Sequence, residues 1–405
     1  MLSRQAKIVM TAGVILIIIA FGVRQTFSLF LQPVSAHLGV GRETFSLALA
    51  WQNLIFGLPI VAIIADKLGP RWIIFVGSLL FGLSLFLVTQ VTTAAMLYLN
   101  LGLLTGIALS GTTYVVILGA VAQVVPPERR SQSFGIITAA GSLGVFLIIP
   151  LAQWLLSNVG WQPALLTLAG LGVLGMVLAF GFPATPASSS ANQNSTDVET
   201  DSLPQILVKA RKHSGYWLLN AGFFVCGFHV AFIGTHLPAF LSDNSLPAGT
   251  GAAALTFIGG ANVVGSYIFG RLGDHYRKKR LLSILYFSRA IVISLFLLIP
   301  ITTVSALVFG AAIGFLWLAT VPLTSGMVGQ IFGSRYLSTL YGIVFLSHQV
   351  GAFLGAWWGG RVYDTTGSYG MVWTTAVILG LIAAVIHLPI SDKPIVQTKE
   401  AAVPA

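Results

Sequence analysis

The sequence predicts an all-α membrane protein of twelve transmembrane helices, built as two pseudo-symmetric halves of six. Three observations predict it. Of 405 residues, 56% are hydrophobic and only 8% charged, against roughly 25% charged in a soluble domain. Twelve apolar stretches are each long enough for a hydrocarbon core of about 30 Å, which needs about 20 residues per helix. Landmark residues then recur at an offset of 205 to 208: Gly22 and Pro33 as Gly227 and Pro238, Gly57 and Asp66 as Gly265 and Asp274, Gln123 as Gln330, and Gly135, Gly144 and Gly160 as Gly342, Gly351 and Gly367. A parallel repeat of this kind places a central site on the axis relating the halves.

The spans fall near 8–35, 44–65, 72–91, 95–123, 131–157 and 162–183 in the first half. Those of the second lie near 215–241, 249–272, 280–300, 303–331, 337–362 and 370–390. Segments of about ten residues with alternating hydrophobicity, the mark of a membrane β-barrel, are absent, so the spans read as helices. Arg4 and Lys7 ahead of an apolar run resemble a signal peptide. The run continues through Arg24 to Pro33 and has its own repeat partner, so it reads as the first span.

The halves occupy residues 1–183 and 215–391, with a linker at 184–214 and a tail at 392–405. From Pro183 to Ser202 the composition turns to Ala, Ser, Asn, Thr and Asp, which cannot bury a core and reads as disorder. Leu203 to Lys212 reads as a short basic amphipathic helix at the membrane surface. With both termini and the linker cytoplasmic, 17 of the 21 basic residues lie inside; Arg42 and Arg361 lie outside, and Arg24 and Arg289 within spans. That asymmetry is a positive-inside signal. The net charge of +10 therefore reports topology and anionic headgroups rather than nucleic acid. Cys226 is the single cysteine, lies in a span and excludes an intramolecular disulfide.

Between the second and third spans of each half stand Ala65-Asp66-Lys67-Leu68-Gly69-Pro70-Arg71 and Gly270-Arg271-Leu272-Gly273-Asp274, the latter followed by Arg277 to Arg280. With twelve spans and a 6+6 repeat, these strings resemble the major facilitator superfamily over almost the whole chain. Ala62 stands where the first motif usually has Gly, and Arg277 where the second does. The resemblance implies a latch: Asp66 with Arg71, and Asp274 with Arg277, hold one conformer through charge and a facing helix dipole. Cys226-Gly227-Phe228-His229, His236-Leu237-Pro238-Ala239 and Phe345 to Gly355 are similar to bacterial carriers related to monocarboxylate porters and oxalate:formate antiporters. Asn262 and Ser266 stand where characterised monocarboxylate porters carry Asp and Arg, so that pair does not carry over.

A charge at a helix centre costs about 2.5–3.5 kcal/mol even on the insertion scale, so one that persists faces a cavity or a partner. Arg24 lies two thirds of the way along the first span, and its repeat partner is His229. The two are expected to approach the axis from opposite sides, a guanidinium fork facing an imidazole, an arrangement suited to a carboxylate. The alternative for Arg24 is snorkelling or pairing with carbonyls. Arg289, in a peripheral span, reads equally as packing against helix-end carbonyls. Tyr114, Trp51 with Gln52 and Asn53, Asn262, His348 and Gln349 complete a candidate pocket, although aromatics at helical spacing are more often core.

All eleven acidic residues fall in loops, tails or span ends. No carboxylate is then deep enough to hold a cationic drug, Na⁺ or a proton. Gly102 stands near the place where proton-driven drug exporters carry Arg, which also disfavours cation export. Moving one negative charge inward against about 100 mV costs roughly 2.3 kcal/mol, so an anion importer gains from proton symport or from exchange. The candidate proton carriers are His229, His236 and His348, since His titrates nearest neutrality; each is otherwise a packing residue. No metal-ligand set, nucleotide motif or nucleophile constellation is present. The expected protein is a monomeric, cofactor-free secondary transporter of a small organic anion, a monocarboxylate, in the cytoplasmic membrane. The alternatives are an exporter of amphipathic metabolites or drugs and a transport-inactive receptor.

Overall fold

The computed structural model describes residues 3–58, 61, 64, 67–184, 202–333 and 336–395. Among the described residues every regular element is helical. Among the described residues eleven helices are long and apolar enough to cross a membrane: Arg4–Leu38, Pro70–Val88, Ala94–Val124, Gln132–Val159, Trp161–Ala179, Ser214–Asp243, Gly249–His275, Lys278–Leu298, Thr303–Phe332, Thr339–Thr366 and Gly370–His387. The second span in chain order starts as Arg42–Phe56, and its continuation lies partly outside the described residues. The stretch 185–201, read as disordered linker, lies outside them as well. A helix at Leu203–Lys212 follows it, with Ser202 and Gln205 forming a capping box. It buries Ile206 and Ala210 and keeps Lys209, Arg211 and Lys212 in its last turn, where the helix dipole favours cations.

Gly22 and Gly144, with their repeat partners Gly227 and Gly351, mark helix crossings. A Cβ on Gly22 would strike the Gly144 carbonyl, and one on Gly227 the His348 carbonyl. Likewise Gly144 abuts Ile18 of the first span and Gly351 abuts Phe224 of the seventh. The first span thus packs closely on the fifth and the seventh on the eleventh, because small residues let membrane helices approach backbone to backbone. Gly160 and Gly367 end the fifth and eleventh spans at φ +82° and +69°, a region a side chain resists.

Two repeat-related spans are interrupted. The fourth breaks at Thr113, extended at φ −118° and ψ −164°, before helix restarts at Tyr114. The tenth stops at Phe315 and restarts at Thr320. Backbone groups freed inside a bilayer need partners. In the tenth span Arg289 supplies them, its Nε and Nη2 donating to the Leu316 carbonyl at 3.2 and 2.7 Å, with Nη2 also donating to Trp317. Asn262 Oδ1 accepts from the Leu318 N–H at 3.0 Å. The halves meet where the second span packs on the eleventh and the fifth on the eighth.

Candidate functional site

Arg24 ends the first helix of its span, just before a 3-10 turn at Phe27–Phe30. Its guanidinium lies over the rings of Phe21 and Phe56 at 5.6 and 5.2 Å, favourable cation–π geometry. Nη1 donates to Gln25 Oε1 at 3.2 Å, and Nη2 donates to Asn53 Oδ1. Nε is buried and has no partner. Tyr114, at the restart of the fourth span, lies within electrostatic reach and packs edge-on to Phe21 at 5.4 Å. No acidic side chain pairs with Arg24 among the described residues.

From Asn53 a chain of hydrogen bonds crosses to the other half. Gln349 Nε2 donates to the Asn53 carbonyl at 2.6 Å, and Gln349 Oε1 meets His348 Nδ1 at 2.9 Å. An amide oxygen only accepts, so Nδ1 carries the hydrogen. His348 stacks on Phe345 at 5.8 Å and packs against Phe223 at 4.8 Å. On the opposite flank Asn262 Nδ2 donates to Ser142 Oγ at 2.9 Å. Gln25, Ser142, Asn262 and Phe21 line a cavity there of about 20 Å³, room for one water. Arg24, Tyr114, Asn262, His348 and Gln349 therefore converge on the boundary between the halves. Gln25 and Ser142 join them, two residues the sequence reading did not single out.

Two expectations need correction. His229 does not face Arg24 across the axis: its Nε2 meets the Ala376 carbonyl of the twelfth span at 2.8 Å, and the residue is buried. Gly227 packs on the eleventh span, and two further residues turn a helix by about 200°, so His229 points into its own half. Trp51 is 43% exposed and lies edge-on to Phe353 at 5.4 Å, outside the Arg24 group, while Gln52 donates to Leu101 of the fourth span. Arg289 binds helix-end carbonyls and Cys226 Sγ at 3.4 Å, which fits the packing alternative.

The expected latches also differ. Asp66 lies outside the described residues. Arg71 Nε donates to the Phe182 carbonyl at 2.9 Å, capping the end of the sixth span. Asp274 is exposed and Arg277 turns away from it, forking onto Asp392 of the tail at 3.1 and 2.7 Å. That hydrogen bond holds the Asp392 carboxyl below the usual carboxylate range.

The opposite end, far from the linker, carries a closed set of contacts that the sequence reading missed. Arg42 forks onto Asp243 at 2.6 and 2.7 Å, donates to Tyr369 Oη at 3.0 Å and stacks on Tyr363 at 3.7 Å. Asp364 accepts the backbone N–H of Arg42 and Glu43 at 2.9 and 2.8 Å, capping the second span from the other half. Glu43 accepts from Trp357 and Arg361, each at 3.0 Å. The available signal was that Arg42 and Arg361 are the two basic residues assigned to that side, with Glu43, Asp243 and Asp364 close by at span ends. Hydrogen bonds between the halves lie at this end and at mid-depth.

A family model described as Major Facilitator Superfamily matches residues 13–356. Monocarboxylate transporter 13 of Rattus norvegicus is 28% identical over 363 residues, covering 87% of this chain and 81% of that protein. The uncharacterized MFS-type transporter YcxA of Bacillus subtilis (strain 168) is 24% identical over 395 residues, covering 91% of each. A crystal structure of the nucleoside transporter NupG superposes with a TM-score of 0.73 at 15% identity, over 94% of this chain and 99% of that one.

Proposed function

Because this chain belongs to the major facilitator superfamily and is a multi-pass membrane transporter, we propose that it carries a small organic anion, a monocarboxylate, by alternating access. One observation carries the reading. Arg24 is a guanidinium at mid-depth, on the boundary between the halves, with a buried Nε lacking a partner and no acidic neighbour among the described residues. A carboxylate offsets the burial cost of that charge and matches the planar fork. Relatives named monocarboxylate transporters support the substrate class. Tyr114 and the Gln25–Ser142–Asn262 flank complete the walls, and His348 with Gln349 ties the second half to the same point.

The linker end is assigned to the cytoplasm by the 17-to-2 split of basic residues. With the far end closed by its ion pairs and hydrogen bonds, the conformer fits one whose site opens inward. Transport is then proton symport or anion exchange, since either relieves the electrical cost of anion entry. Uptake of labelled lactate, formate and oxalate by proteoliposomes, with and without a pH gradient, tests the reading. Carboxylate accumulation above protein-free vesicles is the expected result. Extrusion of an amphipathic cation without carboxylate uptake overturns it.

A further inference from the structure

The contacts at the far end contain a directional hydrogen-bond chain. Arg42 Nη1 donates to Tyr369 Oη at 3.0 Å, and the phenol meets His236 Nδ1 at 3.1 Å. His236 Nε2 meets the Ala356 carbonyl at 2.8 Å, and Ser46 Oγ of the second span lies 3.5 Å from the same nitrogen. A carbonyl only accepts, so Nε2 carries a hydrogen. Among the described residues the phenolic hydrogen has no other acceptor than Nδ1. The closed arrangement therefore specifies the neutral imidazole, Nε2–H donating and Nδ1 accepting.

We propose that His236 is a hydrogen-ion site that operates this gate, the neutral ring locking the far end and the protonated ring releasing it. Protonation at Nδ1 makes that nitrogen a donor, so Tyr369 Oη must accept from it, the phenolic hydrogen loses its acceptor and the hydroxyl must reorient. It also places a second positive charge beside Arg42, which stands over the same phenol. The charged and titratable groups facing the ring are Arg42 from the second span, Tyr363 from the eleventh, Tyr369 ahead of the twelfth and Asp243 further along its own helix. Asp243 is the acid among them, and it is occupied by the Arg42 fork. Reorienting the Tyr369 hydroxyl and adding that charge loosens Arg42, the residue that joins the second span to the seventh. Of the three candidate histidines, His229 bonds within its own half and His348 lies at mid-depth. His236 is the one placed in the gate, between the Ser46 hydroxyl of one half and Tyr369 of the other.

The proposal rests on the transporter reading but not on the identity of the anion. Spin labels at Asn158→Cys and Asn244→Cys, one per half at the far end, in the full chain with Cys226→Ser and reconstituted in lipid, report the gate by pulsed electron resonance between pH 4.5 and 8. The expected result is a longer-distance population that grows as pH falls. His236→Gln keeps one donor and one acceptor but takes no proton, so its short distance should not move with pH. Tyr369→Phe removes the hydroxyl and should show the longer distance already at pH 8, with a weakened pH response. A wild-type pH response retained in His236→Gln, or in Tyr369→Phe should the first variant not fold, overturns the proposal. So does a flat response in the wild type. A proton-opened gate without carboxylate uptake overturns the anion assignment alone, and carboxylate uptake with a flat gate response overturns the His236 site alone.

Discussion

Gln349 Nε2 donates to the backbone carbonyl of Asn53 at 2.6 Å, while the side chain of the same Asn53 holds Arg24. One residue of the second span thus joins the proposed anion site to the opposite half. Asn53 is itself held by its Nδ2 donating to Leu49 at 2.9 Å, so its orientation is fixed from its own helix. Gln349→Ala removes the bridge without touching the guanidinium. A hydrogen bond of this kind contributes about 1 kcal/mol, so carboxylate affinity should fall about fivefold, read by calorimetry in detergent. An unchanged Kd and turnover in Gln349→Ala would mean that the bridge does not couple the halves to the site.

Arg24→Ala removes the positive charge and should abolish carboxylate binding. Arg24→Lys keeps a charge but loses the bidentate fork, and it also loses one of the donors to Gln25 and Asn53. It should bind more weakly than wild type and more tightly than Arg24→Ala. Wild-type affinity for the transported anion in Arg24→Ala would place the anion site elsewhere.

The spans were legible because a bilayer imposes length and apolarity on each helix directly. The repeat was legible because glycines at helix crossings tolerate no replacement, as Gly22 against Gly144 and Gly227 against His348 make plain. Arg24 stood out because an intramembrane charge is costly whatever surrounds it. The direction of His229 was not legible. A repeat fixes depth along a span, while the face is decided by which neighbour the helix packs on. The far-end contacts were hidden for a different reason: Arg42, Asp243 and Asp364 are ordinary span-end charges until the halves close over one another.

Asp243→Asn tests those contacts. It leaves Arg42 in place and removes the anionic half of a bidentate pair whose side chains are only 14% and 26% exposed. The far end should open more often, so a cysteine placed at the buried Ser35 should react faster with an impermeant maleimide added from that side. Equal labelling rates in Asp243→Asn and in the unsubstituted protein would show that the pair does not hold the gate.

The tail offers a pH test. Arg277 holds the folded Asp392 carboxyl below its ordinary value, so the contribution is full above the unfolded pKa and is lost as pH falls through the lower folded value. Gln330 Nε2 donates to the Asp392 carbonyl at 2.9 Å, and Lys279 Nζ to Ile390 at 2.7 Å, so the segment is docked at several points. Hydrogen exchange over 388–395 should be faster in Asp392→Asn than in wild type at pH 7. The difference should vanish in acid. A difference that persists below the folded pKa would assign the docking to the neighbouring bonds instead.

Arg289 separates a structural arginine from a binding one. It is 1% exposed and gives its donors to Leu316, Trp317 and Cys226, all inside one half and at the break in the tenth span. Replacing it strands carbonyls that an uninterrupted helix would satisfy itself. Hydrogen bonds between membrane helices are worth about 0.6–1.7 kcal/mol each, so Arg289→Leu should lower the apparent melting temperature clearly. Arg289→Lys, with one donor group for three acceptors, should recover part of the loss. Carboxylate Kd in the Lys variant should stay within about twofold of wild type, because no donor of Arg289 points at the Arg24 group. A stable Arg289→Lys protein that has lost anion binding would reverse the assignment and make Arg289 the second cation of the site.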